Sequence, residues 1–414
     1  MLSEKIKKFL KIGIFVIIVL ALASAIYFMF FRGTTTTTPV DLEPQTTLPI
    51  NQQLGQLPNS IVGNVNQEAS LGGLDQELTS DISLLPEGKV TPFQDSTLTT
   101  ERALETQALS PKATGSGVNY YSPVADRFYK LTNTGDSQEL SPTSFYNVEQ
   151  ATWSKDGNKA VLEYPDGANV IYDFTTQRQY TLPKEFQEFS FSNNGAEIAA
   201  KVIGARPENN WLVTANADGT GIKFVEPMGE NSAKVDVNFS PNGQVVALYA
   251  KNTGTDDQEI LLIGRNQENF YSLKTLGRGF QGVWTPSGDR LLYSVFSSDN
   301  GFRPTLYIAD AQGDNVGLNN KNLGINTWPD KCTFADNQTL YCAVPQNLPE
   351  GSGIYPEMSK GSLDAFYKID LKTGSFSQLV VNGDYSVKSL VLSPDQKNLY
   401  VVEDGSDALI KISL

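Results

Sequence analysis

The chain of 414 residues contains no histidine. That absence excludes Ser-His-Asp and Cys-His catalysis, His-ligated zinc, copper and haem, and the commonest general base near neutral pH. Cysteine is almost as scarce: Cys332 and Cys342 are the only two, too few for a structural zinc site. Basic residues are missing from a long stretch, since nothing after Arg32 carries positive charge until Lys89. Over the whole chain 46 acidic residues face 32 basic ones, a formal charge of −14, which disfavours phosphate backbones and makes nucleic acid an unexpected partner. The catalytic chemistry left open is that of carboxylates, a Lys or Tyr base, or a bound divalent cation.

Long apolar runs are also rare, and the one that exists stands at the N-terminus. Residues 12–31 carry no charge and have the length needed to cross a hydrocarbon core of about 30 Å as a helix. Lys5, Lys7, Lys8 and Lys11 precede this run, and only Arg32 follows it closely. The positive-inside rule then places residues 1–11 in the cytoplasm and the rest of the chain outside, on a single-pass anchor in the cytoplasmic membrane. A cleavable signal peptide is the competing reading, because Ala21-Leu22-Ala23-Ser24-Ala25 has the small-residue spacing of a peptidase site.

The second half of the chain repeats one phrase. Copies start at Trp153-Ser154-Lys155-Asp156-Gly157, Phe191-Ser192-Asn193-Asn194-Gly195, Phe239-Ser240-Pro241-Asn242-Gly243 and Trp284-Thr285-Pro286-Ser287-Gly288. Two degenerate copies start at Phe334 and Leu392. Asp-Gly and Asn-Gly supply the left-handed backbone that a tight hairpin demands, so each phrase ends one strand and begins the next. Short β-branched and aromatic runs follow, such as Val245-Val246-Ala247-Leu248-Tyr249 and Leu291-Leu292-Tyr293-Ser294-Val295. The irregular period centres near the roughly 40–50 residues of a four-stranded propeller blade.

Residues 118–414 therefore read as an all-β propeller of six or seven blades. No phrase precedes Trp153, and the chain ends on Ile410-Lys411-Ile412-Ser413-Leu414 in the manner of a third strand. If an upstream segment supplies only the missing fourth strand, the ring has six blades. If residues 118–140 make most of a further blade it has seven, the number favoured here. The phrase, in its Phe239-Ser240-Pro241-Asn242-Gly243 form above all, resembles that of the WD-repeat-like propellers of the bacterial envelope, among them the TolB-like group. The resemblance implies the fold and an envelope setting. TolB proteins carry a small α/β domain before the propeller, and residues 33–117 show no such pattern.

Residues 32–117 read as a tether rich in Thr, Pro and Gln, with one short amphipathic helix expected over Leu98 to Leu109. Cys332 and Cys342 are equidistant from Asn337 in the turn between two strands. Opposed positions in a hairpin bring Cβ atoms close enough for a disulfide, which an oxidising compartment would preserve; two small buried thiols are the alternative.

Candidate binding residues fall in two places. The connections between second and third strands are longer and more variable than the tight turns on the opposite face, and binding residues concentrate on such loops. They carry Arg206, Phe302, Arg303 and, in the long Pro345 to Ser362 insertion, Tyr355, Glu357 and Met358. Three positions before each repeated aromatic stand Gln150, Glu188, Asp236, Gln281, Lys331 and Ser389, expected as a polar ring near one mouth of the channel. Glu188 and Asp236 would lie in adjacent blades, close enough to share a cation such as calcium. No other cofactor is predicted.

Three functions fit this reading. The first is a membrane-anchored binding or scaffold module that takes a protein or cell-wall partner on its long-loop face. The second is an envelope hydrolase or lyase acting on a glycan or lactone with channel carboxylates. The third is a structural stalk of a surface assembly; the oligomeric state is not legible.

Overall fold

The computed structural model describes residues 83–84, 90–92, 97–104, 106–268 and 270–414. Its strands form seven separate sheets, the blades of an all-β propeller. Blade 2 is representative: Gln150–Trp153, Lys159–Glu163, Asn169–Asp173 and Arg178–Leu182 pair antiparallel in that order. Blades 3 to 6 begin at Phe186, Val235, Arg278 and Cys332, and the seventh at Val387.

Buried apolar side chains divide into seven clusters, one at each interface between neighbouring blades. Phe128, Trp153 and Phe174 fill the first interface with rings 5.2–5.4 Å apart. Trp284, Tyr293 and Leu248 fill the fourth. The ring closes where Val118, Tyr120 and Leu131 of blade 1 meet Val391, Tyr400 and Leu409 of blade 7. Each blade is flat and two-faced, so it buries its apolar faces only between two others, and the fully covered Leu and Phe side chains each contribute about 1.5–3 kcal/mol.

The two ways of completing the ring occur together. Residues Leu109–Thr114, Gly117–Ser122, Arg127–Thr132 and Ser137–Glu139 form blade 1. Thr100–Arg102 pairs antiparallel with Leu409–Ser413 as the outer strand of blade 7. The propeller thus begins upstream of residue 118, and no helix forms over Leu98 to Leu109. The bare edge of the last strand gives these residues a ladder of backbone hydrogen bonds that a solvent-exposed helix would not replace.

Further upstream, Ser83–Leu84 pairs parallel with Lys321–Asn322 on blade 5, and Val90–Pro92 with Phe376–Gln378 on blade 6. Leu98 then bridges Val381. The described parts of the segment before blade 1 thus pair in turn with blades 5, 6 and 7.

The apolar run over residues 12–31 and most of the expected tether lie outside the described residues. Among the described residues no helix is long and apolar enough to cross a membrane.

Candidate functional site

The repeated phrase is structural, and its hydrogen bonds say why each position is occupied as it is. Ser154 donates to Asp156 at 2.6 Å and accepts the Lys159 N–H at 3.0 Å. Ser192 does the same with Asn194 and Glu197, Ser240 with Asn242 and Val245, and Ser393 with Asp395 and Asn398. The glycine that follows takes positive φ, +72° at Gly157 and +77° at Gly243, which a side chain would strain. The Trp153 indole donates to the Ser110 carbonyl in blade 1, and the Trp284 indole to the Asn238 carbonyl in blade 4. Such bonds between first strands of adjacent blades place those strands on the inside of the ring.

Blade topology then assigns the faces. The tight turns lie on one face, and the connections between second and third strands lie on the other. In blades 4, 5 and 6 these longer connections are bonded into a continuous ridge. The Ser298 hydroxyl of blade 5 donates to Asp256 of blade 4 at 2.5 Å. Arg303 reaches from blade 5 into the blade 6 insertion, where Nε donates to the Leu348 carbonyl at 2.8 Å. Its Nη1 donates to the Asn300 carbonyl at 3.0 Å, and the Gly351 and Gly353 amides bond back to the carbonyls of Gly301 and Phe302.

The six loop residues read from the sequence therefore divide. Phe302 packs edge-on against Phe296, and Arg303 staples two loops together, so both half-buried residues have a role within the ridge itself. Arg206 stands far away on blade 3, exposed and beside Glu208 at 3.6 Å. Tyr355 and Met358 are 57% and 47% exposed at the tip of the ridge, with Ile354 also open and Glu357 between them. Ile354 went unremarked in the sequence because one aliphatic residue in a Gly-rich loop carries no pattern.

The channel positions divide too. Gln150, Glu188, Asp236 and Gln281 are exposed, and Ser389 is half-buried. Lys331 instead turns inward, buried against Asp364 with Nζ 3.1 and 3.2 Å from its carboxylate oxygens. Glu188 occupies a bulge in the first strand of blade 3 at φ +50°, and its Oε1 lies 2.6 Å from Lys201 Nζ. Asp236 keeps a solvent-exposed surface, yet the protein crowded around its carboxyl and the charge of Glu188 raise it above its ordinary range, against the opposing pull of Asn238 and Lys201. Lys201 thus supplies the positive charge that the sequence reading assigned to a shared cation. Among the described residues no group of three or more Cys, Asp or Glu side chains converges as a metal site.

Two further carboxyls matter that the sequence reading missed. Glu163 closes the second strand of blade 2 directly opposite Gln150. Burial, Glu188 and Glu149 together push it up to about 7, and its Oε1 is buried without a hydrogen-bond partner. Glu226, on the outer strand of blade 3, is 7% exposed with the same unpaired oxygen, and burial alone pushes it to about 7. At the other end of the chemistry, Lys112 on the first strand of blade 1 keeps a solvent-exposed surface, yet the protein crowded around its ammonium and the charge of Lys155 hold it below its usual range. Register alone would have paired Glu163 with the channel ring; its unmet oxygen depends on three-dimensional packing.

No family model matches the chain, and no curated protein matches it. Among solved structures the chain is similar to an oligogalacturonate lyase in complex with manganese. That likeness has 12% identity and a TM-score of 0.53, and covers 78% of this chain and 98% of the lyase. It is similar also to the β-propeller domain of Cps50 (Swd1) from Myceliophteria thermophila, at 14% identity and a TM-score of 0.50 over 76% and 99% of the two chains. At these identities the likeness is one of fold. The chain is a seven-bladed β-propeller, and that architecture serves both a lyase and a propeller domain of another kind.

Proposed function

We propose that this protein is a membrane-anchored, extracytoplasmic propeller that acts as a binding or scaffold module, taking a protein or cell-wall partner on its long-loop face. The observation that carries the reading is the ridge over blades 4 to 6. Three loops that would each move independently are bonded to one another through Asp256, Arg303 and Gly351, which lowers the ordering cost of binding. The ridge holds Tyr355, Met358 and Ile354 open to solvent, the side-chain types that make anchors at interfaces. The anchoring and the compartment rest on the apolar run over residues 12–31 and its flanking lysines.

A pull-down from solubilised membranes tests this with the full chain beside its Tyr355→Ser/Met358→Ser variant. A protein or glycan kept by the parent and lost by the variant is the expected outcome. Identical retention by both chains would remove the ridge from the reading.

One observation favours a second reading, an envelope hydrolase or lyase. Glu163, pushed up to about 7 by burial and by its neighbours Glu188 and Glu149, brings a carboxyl of raised affinity for its proton into a cluster of carboxyls, the kind of pairing from which acid and base roles are built. Turnover of oligosaccharides by the parent chain and its loss in Glu163→Gln would support this reading over the first.

A further inference from the structure

The ridge over blades 4 to 6 has a charge as well as a shape. Its three loops, residues 253–257, 297–304 and 346–363, contain the acidic residues Asp256, Asp257, Asp299, Glu350 and Glu357 against two basic ones, Arg303 and Lys360. The distribution of partners sharpens the imbalance. Asp256 is occupied by Ser298 and lies 3.7 Å from Arg278. The Arg303 guanidinium donates from Nε and Nη1 to the carbonyls of Leu348 and Asn300, and the residue is half-buried. Asp257, Asp299, Glu350 and Glu357 are exposed, and none of them has an ion-pair partner among the described residues. Glu357 lies between the exposed Tyr355 and Met358 in the chain, Glu350 packs against Gly301 in the same bonded pair of loops, and Asp257 and Asp299 flank the Asp256-Ser298 bond that joins the third loop to them.

We infer that the ridge is a docking surface for a basic polypeptide segment, one that presents an apolar side chain flanked by lysine or arginine. This rests on the binding reading above and names the class of its partner. The apolar side chain would cover the Tyr355 and Met358 tip, and the cationic flanks would lie along the carboxylates on either side. Exposed rim charges of this kind set partner choice and association rate more than final affinity. A like-charged partner would meet four uncompensated carboxylates, and a neutral glycan would leave them unused. The overall charge of −14 extends the same selection to longer range. The staple formed by Arg303 matters here as well, because it holds the carboxylates of two blades at fixed separation.

The test is fluorescence anisotropy with the full chain and three short synthetic peptides. One has Trp-Leu flanked by lysines, one the same apolar pair flanked by glutamates, and one lysines around serines. The parent chain is expected to bind the first and neither of the others comparably. Neutralising the rim in Asp257→Asn/Asp299→Asn/Glu350→Gln/Glu357→Gln should weaken that binding about tenfold, several exposed charges acting together. Raising the salt from about 0.05 M to about 0.5 M should weaken the parent and leave the neutralised variant little changed. Tyr355→Ser/Met358→Ser should weaken binding about tenfold, and the binding that remains should still weaken with salt. Circular dichroism of each variant separates loss of contact from loss of fold. Equal binding of the glutamate peptide, unchanged binding by the neutralised rim, or no binding of the lysine peptide would each overturn the inference. A partner retained through Tyr355 and Met358 that is neutral or acidic and insensitive to salt would overturn the basic class alone and leave the binding reading standing.

Discussion

Lys201 meets Glu188 within blade 3, Nζ to Oε1 2.6 Å, with the lysine almost wholly buried and the carboxylate half open to water. This one cation serves a crowded neighbourhood, since Glu188 also bears on Glu163 and on Asp236. A channel mouth with more negative than positive charge has consequences for stability that depend on pH.

Glu163 and Glu226 both rise from 4.5 to about 7 on folding. Below about pH 4.5 each is protonated in both states, and above about 7 each is ionised in both. Between these limits the folded chain holds the extra proton, so stability falls as pH rises through the window and the cost is complete above it. Glu163→Gln or Glu226→Gln removes that cost. Each is expected to stabilise the chain by about 1–2 kcal/mol near pH 8, after allowance for solvent screening, and by little near pH 5. Urea unfolding at the two pH values checks this. A parent chain whose stability rises with pH across the window would contradict it.

Closure of the ring depends on Thr100–Arg102. Removing residues 1–96 leaves that strand in place and is expected to preserve a cooperative unfolding transition. Removing residues 1–103 strips the outer strand from blade 7 and leaves the edge at Leu409–Ser413 unpaired. That truncation should lower the urea midpoint strongly and produce self-association through the bare edge, visible as a concentration-dependent shift in size-exclusion chromatography. A monomeric, equally stable product would show that closure is not the latch described.

How far the fold could be read from the sequence is decided by these same residues. The phrase at Trp153 and its successors was legible because its Ser, Asx and Gly positions are fixed by one hydrogen-bond pattern at Ser154, Ser192 and Ser240, with Thr285 making a variant of it through Ser287 and Asp289. Residues 118–140 are legible as most of a further blade, but the first strand of blade 1 was hidden because its turn is made differently: the hairpin turns at Gly115-Ser116, and Thr114 bonds to Asn119, which itself donates to the Gly157 carbonyl of blade 2. The closing strand was hidden for another reason. Thr100–Arg102 has no strand pattern of its own and is ordered by a partner some 310 residues away. Counting three positions back from each repeated aromatic picks out Gln150, Glu188, Asp236, Gln281, Lys331 and Ser389 alike, and only packing shows that Lys331 turns inward to Asp364.

Cys332 and Cys342 stand directly opposite one another in the blade 6 hairpin and are joined by a disulfide. The bond closes a short loop, with a sequence separation of 10. Chain entropy alone then assigns it about 2–3 kcal/mol, a ceiling because the hairpin already holds the two strands together. Cys332→Ala/Cys342→Ala should lower the Tm of the chain and leave the ridge's binding unchanged, since the hairpin turn lies on the opposite face. Dithiothreitol should reproduce the effect in the parent and not in the variant. A parent whose Tm ignores the reductant would mean that the strand pairing carries the hairpin unaided.

Arg303 offers the sharpest separation of scaffold from contact. Its guanidinium donates to the carbonyls of Leu348 and Asn300, and no other side chain is placed to take over both bonds. Arg303→Ala leaves two partly buried carbonyls without donors, at a cost of about 1–3 kcal/mol that falls on the local loop more than on the ring. Arg303→Lys restores the charge but not the fork that spans both acceptors, so it should rescue only in part. The insertion would then open more often, exposing the Lys360-Gly361 bond to trypsin. The expected result is faster cleavage after Lys360 in the order Ala, Lys, parent, with the overall Tm nearly constant. Equal cleavage rates in all three chains would show that the ridge is held by the Gly351 and Gly353 backbone bonds without the arginine, and Arg303 would then be available to a ligand.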